Sequence, residues 1–470
     1  MSQTLNGYVS SIDLAELRGK RVLVYSMGVE GRDLARFMLA HGASVTMSDT
    51  RTQEQLDAAG AEAPLGVEAA VCGQPFLAPD GFDLLAFSQF VLRGNPALAR
   101  ARQLNIPMTS QMRLFLQLCP ARPIGITGSS GKSTTTALVG AMAAEAGVEY
   151  IVGGNIGEAL LGRLGEITER TTVILELSHT QLQYTDRSPR IAAVTNVTPN
   201  HLDQFSWDEY VGLKRNILAY QSSDDVAVMN ADDHTSRALM ASTMGRLVRT
   251  SIAGEVAGEA AWFDGAAVML RLGTVEQSVI RREQVRLRGQ HNLANVVMAT
   301  AIGAAAGFPQ DAMARAVASF RGVPHRLEFV GRANGVTWVN DSIATSPERT
   351  IAGLLAFNEP VVLLLGGRDK NLPLDRLQEL VHRRCRAIVC FGEAGPLFAD
   401  AMKTRLATVI QVETLPEAVE AAAGLAQHGD AVLLSPAGTS FDAFPSFEAR
   451  GELFRRLARA LPGFTPEVVP

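Results

Sequence analysis

The stretch Gly125-Ile-Thr-Gly-Ser-Ser-Gly131-Lys132-Ser133-Thr134 constrains this chain more than any other. Its apolar lead-in, Pro123, Ile124 and Ile126, reads as a strand end, and the residues from Ser133 to about Ala146 read as a helix. Glycines lie between them. A strand that turns into a helix through glycines can close its backbone N–H groups on phosphate oxygens, and the helix N-terminus adds a favourable dipole. The loop Gly128, Ser129, Ser130, Gly131 is then a phosphate cradle. Lys132 is placed to reach the terminal phosphates, and a hydroxyl of Ser133 or Thr134 to ligate Mg²⁺. The strict spacing of such loops puts their first glycine at position 126, which is Ile here, so the motif is the variant Gly128-x-x-Gly131-Lys132-Ser133. A Gly/Ser turn before a helix is common; strand, Gly-Lys-Ser-Thr and helix together are not.

At 470 residues, the chain has room for about two to four domains. A formal net charge of −5 without a basic stripe argues against nucleic-acid binding. No apolar run approaches a membrane span, and the N-terminus lacks the basic and apolar regions of a signal peptide. Cys72, Cys119, Cys385 and Cys390 have no zinc-like spacing and read as buried, reduced thiols of a cytoplasmic protein.

Arg21–Tyr25 reads as a strand, followed by Ser26-Met-Gly28-Val-Glu-Gly31, a helix to about Ala40 and a strand over Ser44–Met47. This unit is dinucleotide-like, with Ser26 in place of the first glycine. Asp49 at the second strand's end can reach a ribose or, with Arg51, a uridine diphosphate; a ligand-free half of the same shape remains the alternative. The strand over Thr172–Ser178 ends on Glu176, suited to Mg²⁺ if it faces the loop and not solvent. His201 follows the strand of 191–197, so it could meet Glu176 at one sheet edge, although a lone His is more often a satisfied polar group. Trp207–Tyr220 reads as a helix whose Lys214 has, by spacing, the look of a surface charge. Asn292 and Asn295, three apart at a helix start, share a face and could contact a purine or ribose. Strands at 336–339, 361–365, 387–391 and 431–434 give a third block a parallel-sheet rhythm.

Taken together, the ordered motifs resemble the Mur ligases, the ATP-dependent ligases that add amino acids to the peptidoglycan stem peptide. The resemblance runs nearly end to end: the phosphate loop, Gly154-Asn-Ile-Gly157, Glu176-Leu-Ser178, Asn196-Val-Thr-Pro-Asn-His-Leu-Asp203, Gly289-Gln-His-Asn292, Pro324-His-Arg-Leu-Glu328, Asn340-Asp-Ser342, Gly366-Gly-Arg-Asp-Lys370 and Leu434-Ser-Pro-Ala437 with Ser440-Phe-Asp442. The last group resembles the branch that adds D-glutamate to UDP-N-acetylmuramoyl-L-alanine. The resemblance implies an α/β chain of three domains: a Rossmann-like UDP-substrate domain (1–121), a central P-loop ATPase-like domain (122–322) and a Rossmann-like amino-acid domain (323–470).

It further implies a cytoplasmic monomer using ATP and two Mg²⁺. Lys132, Glu176, His201 and Lys214 would be catalytic, with Lys214 carboxylated by CO₂. Ser133, Thr134, Glu176, His201 and the Lys214 carbamate would hold the metals. Asn292, Asn295, Arg326 and Asp341 match nucleotide positions. Ser26, Gly28, Asp49, Thr50, Arg51, Ser88, Asn155, Ser178 and Gln181 match the UDP-substrate side, and Thr345, Lys370, Ser440 and Phe447 surround the glutamate. The expected chemistry is phosphorylation of the L-alanyl carboxylate, then attack by the glutamate amine, with the third domain closing on ATP. Two positions depart from the family: Ile343 stands where a lysine is usual, and Ser178-His-Thr-Gln181 replaces Ser-Ser-Phe-Gln. The first leaves L-glutamate as an alternative to D-glutamate. A sister ligase of the folylpolyglutamate or cyanophycin type, a nucleotide switch and a dehydrogenase fit the motifs less well.

Overall fold

Runs of Val, Ile, Leu and Ala form the strands wherever helices cover both faces, because a strand buried on both sides has no polar positions to alternate. The computed structural model describes residues 12–58, 60–156, 159–200, 202, 204–287, 289–370, 372–403 and 408–466, the side chain of Ala58 excepted. They form two compact units, residues 1–282 with 294–316 and residues 283–293 with 317–470.

The first unit holds two sheets. One has five parallel strands in the order Ala69–Cys72, Ser44–Asp49, Arg21–Tyr25, Leu84–Phe87, Met108–Ser110. The other has nine, and the strand Ile124–Thr127 lies inside it between Ile191–Val194 and Thr172–Glu176, parallel to both. The phosphate loop therefore leaves the carboxyl end of an interior strand, the place where open α/β sheets bind ligands. Ala260–Phe263, Ala267–Leu272 and Val275–Arg281 extend the sheet at one edge through antiparallel pairs. One hydrophobic core joins both sheets, from Leu17, Val22 and Phe37 to Leu161, Val173 and Tyr210. Polar ties reinforce it: buried Asp33, on the helix Val29–Ala40, accepts from Leu161 N, Gly162 N and Gln111 Nε2, each at 3.0 Å. Two sheets sharing one core behave as one unit.

The second unit has seven strands in the order Val409–Gln411, Cys385–Phe391, Val361–Gly366, Ala431–Ala437, Val336–Asn340, Glu328–Ala333, Phe464–Thr465. The first five are parallel, and the last two form an antiparallel edge that short segments did not advertise in the sequence.

Several sequence expectations change, among them the strand of 191–197, which stops at Val194. The strand expected to run to Ser178 stops at Glu176, because Ser178 caps the helix His179–Leu182 in a reciprocal box with Gln181. The helix expected to reach Tyr220 ends at Arg215. Cys385 and Cys390 are buried, with thiols pushed up to about 12 by burial, whereas Cys72 and Cys119 are only half-buried; all four are free.

Candidate active site

Two glycines of the phosphate loop are there for backbone reasons. Gly128 and Gly131 have φ of +154° and +82°, a region costly for any residue with a Cβ. A Cβ at Gly128 would strike Thr195 Oγ1, and one at Gly131 would strike Asn295 Oδ1. Thr195 and Asn295 thus form the wall against which the loop is pressed. Gly131 caps the helix Lys132–Glu145. Asn196 pins the loop from the other side: its carbonyl accepts from Ser129 N (2.9 Å), its Oδ1 from Ser130 N (3.1 Å), and its Nδ2 donates to Ser130 O (3.1 Å). Ser129 Oγ reaches Thr198 O (2.9 Å) and Tyr210 Oη (3.0 Å). The loop backbone is held in shape by side chains, with the Ser129 and Ser130 N–H groups engaged by Asn196.

Two ammonium groups close on one carbonyl of this loop. Lys132 Nζ donates to Gly128 O at 2.9 Å and to Ser129 O at 3.3 Å. Lys214 Nζ donates to the same Gly128 O at 2.9 Å and to Thr127 Oγ1 at 3.5 Å. Lys214 is 1% exposed, with its ammonium 4.9 Å above the Tyr210 ring. It is not the surface lysine that helical spacing suggests. Burial drives its pKa well below the ordinary value, the Lys132 charge adds to that, and Glu176 opposes it. A buried amine drawn toward its neutral form is a nucleophile, the state that attacks CO₂.

Glu176 pairs with Ile126 in the neighbouring strand, at the strand end beside the loop. Its Oε1 accepts from Asn155 Nδ2 at 2.8 Å, and its buried Oε2 has no hydrogen-bond partner among the described residues. An orphaned carboxylate oxygen is costly unless a cation or ligand group completes it. No cluster of three or more His, Cys, Asp and Glu occurs among the described residues, and His201 lies outside them. That sparse donor set suits Mg²⁺, which takes one or two carboxylates and fills its remaining positions with phosphate oxygens and water. Ser133 and Thr134, both buried, open the helix after Lys132.

After the strand Arg21–Tyr25, Ser26 sits at φ +84°, the conformation that the glycine it replaces would adopt freely. A Cβ on Gly31 would collide with the Ser26 carbonyl, so the tight turn is kept at a cost in backbone strain. Gly28 N donates to Ser26 Oγ at 3.1 Å. Asp49 accepts from Met27 N (2.6 Å), Arg51 N (2.9 Å) and the Arg51 guanidinium (2.7 and 3.0 Å). Burial works to raise the Asp49 carboxyl, but these bonds hold it below its usual range. Half-buried Thr50 lies between the two, and Ser88, buried at the end of the strand Leu84–Phe87, has a hydroxyl without a partner among the described residues.

Asn155, Ser178 and Gln181 meet through a residue that no motif marked. Gln89 Oε1 accepts from Ser178 Oγ (2.6 Å) and Thr180 Oγ1 (2.8 Å), and Gln89 Nε2 lies 3.4 Å from Asn155 Oδ1. Glu30 closes the net, accepting from Gln89 N (2.8 Å), Gln89 Nε2 (3.1 Å) and Gln181 Nε2 (2.9 Å). Asn295 backs the phosphate loop, taking a 3.5 Å contact from Thr135 Oγ1. Asn292 stands on the same helix, Gln290–Ala305, but belongs to the second unit.

Within the second unit, Arg326 lies between His325 (φ +63°) and Leu327 (φ +45°), two non-glycine residues in the left-handed region. Asp341 is buried, accepting from Leu327 N (3.1 Å) and Ser435 Oγ (2.9 Å). Burial pushes its pKa up to about 7 against those bonds and the charges of Arg326 and Arg349. Lys370 Nζ donates to Thr345 Oγ1 at 3.4 Å. Ser440 is buried, and Phe447, which opens the helix Phe447–Arg459, meets the His325 ring edge-on at 6.3 Å. Arg450 ties these pieces together from inside. Fully buried, it donates to Ser342 Oγ (3.0 Å), Ser342 O (2.9 Å), Gly438 O (3.2 Å twice) and Thr439 O (3.1 Å). Burial lowers its pKa to about 10, with Asp442 opposing.

Residues 126–303 match the Mur ligase middle domain, and residues 325–438 match the Mur ligase glutamate ligase domain. The chain is 39% identical to the UDP-N-acetylmuramoylalanine–D-glutamate ligase of Symbiobacterium thermophilum, over 94% of this chain and 98% of that protein. It is 35% identical to the enzyme of the same name from Clostridium botulinum strain Hall, over 95% and 98%. The chain belongs to the Mur ligase family.

The Mur ligase fold is also visible in solved structures. UDP-N-acetylmuramate-alanine ligase from Thermotoga maritima superposes with a TM-score of 0.56 at 18% identity, covering 93% of this chain and 99% of that one. A pseudomurein peptide ligase type C from Methanothermus fervidus gives 0.54 at 15%, covering 93% and 100%. These two show the fold alone. In this Mur ligase the residues that motif reading passed over are Gln89, Glu30, Thr195 and Arg450, none of which carries a local signal.

Proposed function

We propose that this chain is the ligase that joins D-glutamate to UDP-N-acetylmuramoyl-L-alanine with cleavage of ATP to ADP and phosphate (EC 6.3.2.9), in the cytoplasm, as a monomer, during peptidoglycan precursor synthesis. The reading divides the chain into a UDP-substrate domain (1–121), an ATP domain (122–322) and an amino-acid domain (323–470). The observation that carries it is the phosphate loop with Lys132 and Lys214 on one carbonyl and Glu176 beside them. The substrates named for the relatives support the ligation step.

Loop N–H groups and Lys132 hold the β- and γ-phosphates of ATP, spreading the charge that develops on transfer. An oxygen of the L-alanyl carboxylate attacks the γ-phosphorus, the bond to the β,γ-bridging oxygen breaks, and ADP departs. The glutamate amine, neutral at its nitrogen, attacks the acyl carbonyl. Collapse expels phosphate, and the amine proton passes to phosphate or water. Mg²⁺ held by Glu176, His201, Ser133 or Thr134 and a Lys214 carbamate would neutralise the phosphates and the carboxylate, two anions that otherwise repel. Asn155 keeps Glu176 aimed, and Tyr210 with Thr127 keeps Lys214 in place.

Ile343, at the position where a lysine is usual, favours a second reading in which L-glutamate is the amino acid. Phosphate release in the presence of ATP, Mg²⁺ and UDP-N-acetylmuramoyl-L-alanine separates the two. D-Glutamate is expected to support turnover and L-glutamate to give little; a preference for the L isomer contradicts the isomer proposed.

A further inference from the structure

Two cations of the second unit converge on one turn. Thr345 N donates to Ile343 O at 2.8 Å, so residues 343–345 form a tight bend. Arg349 Nη1 donates to the same Ile343 O at 2.9 Å, and Lys370 Nζ donates to Thr345 Oγ1 at 3.4 Å. Both residues are exposed. Arg349 is the third residue of the helix Pro347–Leu354, where the helix dipole disfavours a positive charge. Lys370 is held below its ordinary pKa first by partial desolvation and then by the Arg349 charge, with Glu348 opposing. Like charges over one bend repel, and an anion between them turns that repulsion into binding.

We propose that Arg349 and Lys370 form a two-pronged clamp for one carboxylate of the incoming amino acid, with Arg349 supplying from the helix the charge that apolar Ile343 does not. A guanidinium fork fixes a carboxylate's plane, whereas an ammonium acts as a point charge. The pair therefore holds both the position and the orientation of the amino acid. Arg349 is a specificity residue of the reaction proposed above, and the inference rests on that reading.

The test compares Arg349→Ala, Arg349→Lys and the double variant Arg349→Ala/Ile343→Lys. Steady-state kinetics are run beside hydroxylamine trapping of the acyl phosphate formed from ATP and UDP-N-acetylmuramoyl-L-alanine without glutamate. Arg349→Ala should raise the KM for glutamate about 10- to 100-fold, the range of one charge-assisted contact. The KM for ATP and the hydroxamate yield should stay at the wild-type level. Arg349→Lys and the double variant should each recover part of the loss. An unchanged KM for glutamate in Arg349→Ala overturns the clamp, as does a hydroxamate yield that falls with turnover. Absence of hydroxamate from the wild type overturns the ligase reading itself, and the clamp with it.

Discussion

The phosphate loop and the proposed amino-acid site each bring two basic side chains together, and they do so in opposite ways. At the phosphate loop, Lys132 and Lys214 converge on the Gly128 carbonyl, and the Lys214 amine is almost wholly buried. At the amino-acid site the cations, Arg349 and Lys370, are exposed, and the buried guanidinium of Arg450 contacts only loop backbone and Ser342 Oγ among its hydrogen-bond partners. The difference teaches where each site keeps its precision. A site that performs phosphoryl transfer benefits from charge fixed in a low dielectric, where electrostatic stabilisation is strongest. A site that admits a small amino acid keeps its charges open and buries the part that sets loop shape.

The largest expected effect separates function from stability at the phosphate loop. Lys214→Met removes a desolvated charge, and Gly128 O keeps its bond from Lys132. Turnover should fall about 10- to 100-fold if Lys214 supports the metal as proposed, while thermal stability is unchanged or higher. The sign of the pH effect follows from the direction of the shift. Folded Lys214 has a depressed pKa, so the folded state binds fewer protons than the unfolded state between that value and the ordinary lysine range. Its contribution therefore rises with pH through that window, and Lys214→Met should flatten the rise in a chemical-denaturation series. Wild-type turnover in this variant would make Lys214 a structural group only.

A smaller and inverted pattern is expected from Arg450→Met. Three carbonyl groups and a hydroxyl lose donors in a buried place, so stability should drop by about 1–3 kcal/mol. Because Ser342 and Thr439 lead into the loops of Thr345 and Ser440, the KM for glutamate should rise while the KM for ATP holds. Equal rises in both would mean that Arg450 supports the unit as a whole and not the amino-acid loops. The two variants thus test the contrast from both sides: one loses activity without stability, the other loses stability and one substrate.

The same contrast explains what was legible in the sequence. The phosphate loop is contiguous: strand, glycines, lysine and helix occur within one short run, and the structure places each as the spacing implies. Glu176 was legible because it ends an apolar strand. Lys214 was not, since helical spacing cannot report that its face turns inward against Tyr210 and the loop; only the family resemblance marked it. The amino-acid site draws on residues near 325, 343, 370 and 440, which topology brings into one unit. Gln89, Glu30 and Arg450 carry no motif because their role is to satisfy other groups' hydrogen bonds. Ser26 shows the reverse case: a broken glycine motif whose backbone still takes the glycine conformation.

The central claim is that the γ-phosphate held at Lys132 goes to a carboxylate and not to water. Labelling the L-alanyl carboxylate of UDP-N-acetylmuramoyl-L-alanine with ¹⁸O and analysing the phosphate released during glutamate-dependent turnover tests it directly. One labelled oxygen in each phosphate is the predicted result, because the attacking carboxylate oxygen leaves with the phosphoryl group. Unlabelled phosphate would mean that water attacks the γ-phosphorus, and the account would be wrong.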